Sequence, residues 1–165
     1  MPRRSVVLSL GALLVATLGG CSTTAFPNPL VTTATAAAQA WTSPVLPVEL
    51  SEYQVQMPTT VTAGVKILQI TNAGTMQHEL LVFRPDASIN PTNLPVDSSG
   101  NVVEDAPGIN KITDGPNLNP GDVQSRSLDL SAPGTYVFLC NLPGHYKLGM
   151  WTVVTVVPAP TQPTS

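Results

Sequence analysis

The sequence predicts an all-β domain, and three observations carry that prediction. Charged residues are only 10% of the 165, while 17 prolines and 12 glycines leave few positions at which a helix gains support. The apolar stretches are short, rich in Val, Leu, Ile and Thr, and separated by turn residues. Beyond the N-terminal segment no stretch shows a helical period. The length suits one domain with some unstructured chain.

Residues 1–21 read as a targeting segment. Arg3 and Arg4 are followed by an apolar run from Ser5 to Gly20. At roughly 15 residues this run is shorter than the ~20 a membrane span needs. It closes on Leu18-Gly19-Gly20-Cys21, which resembles a bacterial lipobox. That resemblance implies a lipid on Cys21 and an exported chain anchored to the outer face of the cell membrane, in the cell envelope. The paired arginines loosely resemble a twin-arginine export signal; an ordinary cleaved signal with an incidental cysteine is the competing reading. Residues 22–44, mostly Thr, Ala, Pro and Ser, read as a flexible tether. The domain then occupies 45–157, and 158–165 reads as a disordered tail.

Within the domain, Val48 to Gln56 has β-formers with some alternation. Val61 to Thr71 reads as a core strand with an irregularity at Gly64, and Asn72-Ala73-Gly74 supplies a turn. His78 to Phe83 follows as a strand. Val123 to Leu130 alternates weakly; Ser131 to Gly134 is a turn; Thr135 to Cys140 and Met150 to Val157 are the last two strands. Between them, residues 84–121 are dominated by Pro, Asn, Asp and Gly. A structureless segment of that length is uncommon in a compact domain, so a short strand or helix is expected around Asn101 to Ile112. Its acidic side chains (Asp86, Asp97, Glu104, Asp105 and Asp114, with Asp122 just beyond) suit a solvated connection better than a docking surface.

Charge and cysteine usage narrow the function. Without residues 1–21 the chain has five Lys+Arg against ten Asp+Glu, a net charge of −5 instead of −3. It has no basic stripe to meet phosphates, which argues against nucleic acid. The two cysteines are Cys21 and Cys140. A lipid on Cys21 leaves Cys140 unpaired in an oxidising compartment, where a bound metal is the simplest occupant for its thiol.

The metal reading comes from Cys140-Asn-Leu-Pro-Gly-His145-Tyr-Lys-Leu-Gly-Met150. Strand Thr135 to Cys140 delivers a thiolate at one rim, Pro143-Gly144 turns the chain so that His145 returns beside it, and Gly149 frees the backbone next to Met150. The only other histidine, His78, heads a different strand. Two sheets packed face to face with their loops gathered at one end bring His78 to the same rim. Two imidazoles and a thiolate with a weak axial thioether form the donor set of a mononuclear electron-transfer copper site. Structural zinc prefers four strong ligands, and this chain offers three plus a thioether. A Cys140–His145 nucleophilic pair lacks any sign of a substrate cleft or oxyanion device. Multicopper chemistry needs further histidines, and both are already used.

On these residues the stretch from Val45 to Val157 resembles the cupredoxins, the plastocyanin- and azurin-like copper proteins. The distant histidine and the spacing Cys140-x4-His145-x4-Met150 look more like the rusticyanin, auracyanin and sulfocyanin branches and poorly characterised bacterial copper-binding cupredoxins. The resemblance implies a Greek-key antiparallel β-sandwich holding one copper ion, with His78, Cys140 and His145 as strong ligands and Met150 axial. Many cupredoxins carry Asn or Ser directly after the first histidine, where it ties the ligand loops together; here Glu79 stands there, and strand alternation directs it to solvent. The implied protein is a monomeric one-electron carrier and not an enzyme. Leu142, Pro143 and Leu148 form the patch that meets a redox partner such as a respiratory oxidase or reductase. The alternatives are a copper carrier or buffer, and a structural sandwich with a vestigial site.

Overall fold

Nine strands and no helix make up residues 40–161, the part of the chain that the computed structural model describes. The expected targeting segment 1–21 with Cys21, most of the tether and the last four residues lie outside it. The strands are β1 (Val45–Ser51), β2 (Gln54–Gln56), β3 (Thr60–Thr62), β4 (Val65–Asn72), β5 (Leu81–Phe83), β6 (Lys111–Thr113), β7 (Val123–Asp129), β8 (Gly134–Leu139) and β9 (Trp151–Val157). They form a four-stranded sheet, β2-β1-β4-β7, and a five-stranded sheet, β3-β9-β8-β5-β6.

Alternation decides which side chains meet between the sheets. In β1 Leu46, Val48 and Leu50 point inward, and in β4 Leu68 and Ile70 do the same. They pack against Leu80, Val82, Tyr136, Phe138, Val154 and Val156 of the second sheet and its approach, in one core that also contains Cys140 and Met150. Strand β8 is buried on both faces from Tyr136 to Leu139. Its other face, with Leu81 and Phe83, is covered by Leu94, Val102 and Ile109 from the long segment after β5. Residues 84–121 are therefore a covering layer and more than a solvated connection. Apolar residues scattered singly among turn residues were enough to seal the sheet, although no run of them was long enough to read as an element. The segment's one strand, β6, falls at the end of the window in which a short element was expected.

The antiparallel sandwich expected from the sequence is in fact mixed. Strand β1 runs parallel to β4, with Val45 opposite Ile67 and Leu50 opposite Asn72, and β3 runs parallel to β9. Parallel neighbours require the chain to leave and come back. After β1 it turns back as β2, crosses to the second sheet as β3, and returns to the first as β4. Two stretches that read as single strands are consequently pairs. Val48 to Gln56 breaks at Glu52-Tyr53, and Val61 to Thr71 breaks at Ala63-Gly64, where reciprocal amide–carbonyl bonds to Leu130 hold the crossing. Pairing is also present ahead of Val45: Trp41 bridges to Val61, and the Ser43 carbonyl accepts a bond from Lys66 Nζ.

Candidate metal centre

The three ligand candidates of the last loop stand where the end of β8 meets the start of β9. The Cys140 amide donates to the Met150 carbonyl at 3.0 Å, closing the loop at its base, and the Met150 amide donates to the His145 carbonyl at 3.0 Å. Gly144 and Gly149 take φ of +81° and +100°, the left-handed backbone that side chains resist. These turns fold His145 back over Cys140, so its Nδ1 lies 3.3 Å from the Cys140 Sγ.

His78 stands three residues ahead of the neighbouring strand, β5. Strand β5 pairs with β8 antiparallel, Leu81 opposite Leu139, so the residues just ahead of β5 lie beside Cys140. His78 is fixed by reciprocal backbone bonds with Leu118. The loop before it is gathered by Asn72, whose Nδ2 donates to the Met76 and Leu118 carbonyls and whose Oδ1 accepts the Gly74 amide. His78 Nδ1 then lies 3.3 Å from His145 Nδ1. The donor atoms of His78, Cys140 and His145 all fall within 4.8 Å of one another, and all three residues are buried.

These separations fit one ion. Metal–nitrogen bonds of about 2.0 Å and metal–sulfur bonds of about 2.3 Å in a trigonal arrangement place the donors roughly 3.5–3.7 Å apart. The electrostatics fit as well. Burial lowers the pKa of both imidazoles, and for His78 the neighbouring His145 lowers it further, so both stay neutral with lone pairs free. Burial pushes the Cys140 thiol up to about 11, outweighing the Glu79 and Leu142 amides that favour the thiolate; a bound cation supplies the missing charge. The fully buried Met150 completes a set of two nitrogens, one thiolate sulfur and one thioether, which selects copper over the hard cations.

Sequence reasoning misplaced one neighbour of the site and missed two. Glu79 is half-buried, and its carboxylate accepts the Asn141 amide at 3.2 Å, while its own amide points at Cys140 Sγ at 3.5 Å. It ties the two ligand loops together instead of facing solvent. The alternation argument failed because residues 79 and 80 are not in a strand; β5 begins only at Leu81. Burial raises the Glu79 pKa. The missed residues are Glu52 and Tyr53, in the turn after β1. The Tyr53 ring meets the His145 ring edge-on with centroids 5.4 Å apart, and Tyr53 holds φ at +58° to do so. Glu52 Oε1 lies 3.9 Å from His78 Nε2. Nothing local marked them, because they reach the rim only through the parallel pairing of β1 with β4. Trp151 packs on the outer face beside Tyr146 and lines no part of the centre.

Comparison with known proteins agrees with this geometry. A family model described as the sulfocyanin (SoxE) domain matches residues 50–165. A stretch of 41 residues is 46% identical to auracyanin-B of Chloroflexus aurantiacus; it covers 25% of this chain and spans only 17% of that relative's length. The crystal structure of dithionite-reduced auracyanin from the photosynthetic bacterium Roseiflexus castenholzii superposes with a TM-score of 0.52 at 27% identity, over 71% of this chain and 99% of that one.

Proposed function

We propose that this chain, which belongs to the sulfocyanin (SoxE) family of cupredoxins, carries single electrons through one copper ion held by His78, Cys140 and His145 with Met150 as a weak axial ligand. The observation that carries the reading is the convergence of two Nδ1 atoms and one Sγ at a single rim, with 3.3 Å between the two nitrogens and 3.3 Å between His145 Nδ1 and the sulfur. Bound copper supplies a centre that cycles between its two oxidation states. The protein's part is to hold the donors in one geometry for both. The loop-base bonds of Cys140 and Met150, the Asn72 bonds and the Glu79–Asn141 tie fix the ligand loops from both sides. Rigid donors keep the rearrangement on electron exchange small.

The rim above His145 suits a short-lived encounter. Pro143 and Leu148 are exposed, Leu142 is half-buried, and Met76 from the His78 loop lies open as well. Small apolar contacts of this kind serve transient redox pairs. We further propose that the chain works outside the cytoplasm, monomeric and tethered through a lipid on Cys21.

The test is addition of Cu(II) to the purified protein with the visible spectrum recorded. An intense thiolate-to-copper band with one equivalent of metal is expected, and its loss in Cys140→Ser. A colourless protein, or colour that survives Cys140→Ser, refutes the site. Repeated reduction and oxidation with copper retained distinguishes an electron carrier from a copper donor, which surrenders its metal to an acceptor apoprotein.

A further inference from the structure

His78 Nε2 is the loose end of the centre. The residue is fully buried, its Nδ1 faces the other donors, and Nε2 has no hydrogen-bond partner among the described residues. An imidazole that gives Nδ1 to a metal carries its proton on Nε2, and a buried N–H without an acceptor is costly. The carboxylate oxygen Glu52 Oε1 is 3.9 Å away.

Glu52 is not a drifting surface side chain. Its Oε1 accepts the Thr75 amide, the Met76 amide at 2.9 Å and the Thr75 hydroxyl at 3.1 Å, all in the loop that ends at His78. A Cβ added at Gly74 would come within 2.7 Å of the same oxygen, so the loop is pressed against it. The Thr75 amide above all, with the other amides, holds the carboxyl down to about 2, which keeps it ionised. The neighbouring Tyr53 leans on the other ligand ring.

We propose that Glu52 is a positioning residue of the copper centre: its carboxylate takes the Nε2–H of His78, directly or through one water, sets the orientation of that imidazole, and places a negative charge that favours Cu(II). The inference rests on the copper reading above. A carboxylate behind a metal-bound histidine raises the basicity of the ring and fixes its tautomer, and a charge behind the ligand acts differently on the two oxidation states.

Glu52→Gln separates this role from simple loop support, because the amide keeps a carbonyl oxygen for Thr75 and Met76 but removes the charge and is a weaker acceptor for the His78 Nε2–H. In the copper-loaded protein at a fixed ambient potential, E52Q is expected to move the Cu(I)/Cu(II) ratio about tenfold toward Cu(I), equivalent to about 59 mV for one electron. Glu52→Asp, which keeps the charge, stays near the parent ratio. In the zinc-loaded protein labelled with nitrogen-15 at histidine, the His78 Nε2–H exchanges slowly with solvent in the parent and faster in E52Q. Both shifts are required. An E52Q protein with the parent's potential, or with unchanged Nε2–H exchange, overturns the proposal. A parent that never develops the copper band removes the copper reading itself, and this inference with it.

Discussion

Met150 sits fully buried at the mouth of β9, its amide bonded to the His145 carbonyl, so backbone and packing fix it whatever its sulfur does. An axial thioether is a weak ligand that tunes potential more than it holds the metal. Met150→Leu keeps shape and burial and is expected to retain the copper colour with a raised reduction potential, read by potentiometric titration; loss of binding would make Met150 a principal ligand. Asn141 acts on the opposite flank. Its Oδ1 accepts the Val102 amide at 2.7 Å, and its Nδ2 donates to the Val102 carbonyl at 3.1 Å and to Glu104 at 2.9 Å, fastening the covering layer to the ligand loop. Asn141→Ala leaves the buried Val102 amide unpaired and should cost about 1–3 kcal/mol in urea unfolding. At this scale the candidate donors that the structure gathers were legible because three sit within eleven residues and the fourth is the only remaining histidine. Glu79 was misread and Glu52 passed over because their roles depend on which backbones run side by side, and single-residue spacing carries no trace of that.

Strand β4 shows how elements share the work. One end, at Asn72, organises the His78 loop; its middle, Leu68 and Ile70, is core; its start carries the buried Lys66, whose ammonium donates to the Ser43 carbonyl and the Thr62 hydroxyl at 3.1 Å each. Leu68 is fully buried between the sheets, so Leu68→Ala removes transfer energy and leaves a cavity, about 2–5 kcal/mol together. The check is chemical denaturation of the metal-free protein. Lys66 predicts a pH dependence. Burial depresses its pKa below the ordinary 10.5, so between the folded value and 10.5 the unfolded chain binds more protons and stability rises with pH. Lys66→Met should abolish that alkaline rise relative to the parent; an identical slope in both proteins would assign the rise elsewhere. Strand existence was largely readable from β-branched runs and turn residues. Continuity was not: Val61 to Thr71 reads as one strand with an irregularity at Gly64, yet the chain changes sheets there, because a glycine marks a break without saying which sheet the chain enters next, and only tertiary pairing reveals that.

Over the whole molecule, the centre and the core are one object. Cys140 and Met150 belong to the same buried cluster as Leu46, Ile70 and Val156, and His78 is fixed by loops from both sheets. The class of fold and the rim that bears the metal followed from composition and from where the four donors fall. The mixed pairing did not follow, yet it is what brings the β1–β2 turn alongside Asn72 and so beside the histidines. A ligand gripped by elements so far apart in sequence binds the folded chain in preference to the unfolded one, so metal and stability are linked by mass action. At a free copper concentration about 100 times the dissociation constant, the native state gains about 2.7 kcal/mol. For a chain of this size that raises the melting temperature by roughly 5–20 °C. Calorimetry of the copper-loaded and chelator-treated protein should show that gap, and Cys140→Ser should melt at one temperature with or without copper. A parent protein whose melting point ignores copper would mean that the ion lies on the surface, outside the cluster that holds the two sheets together.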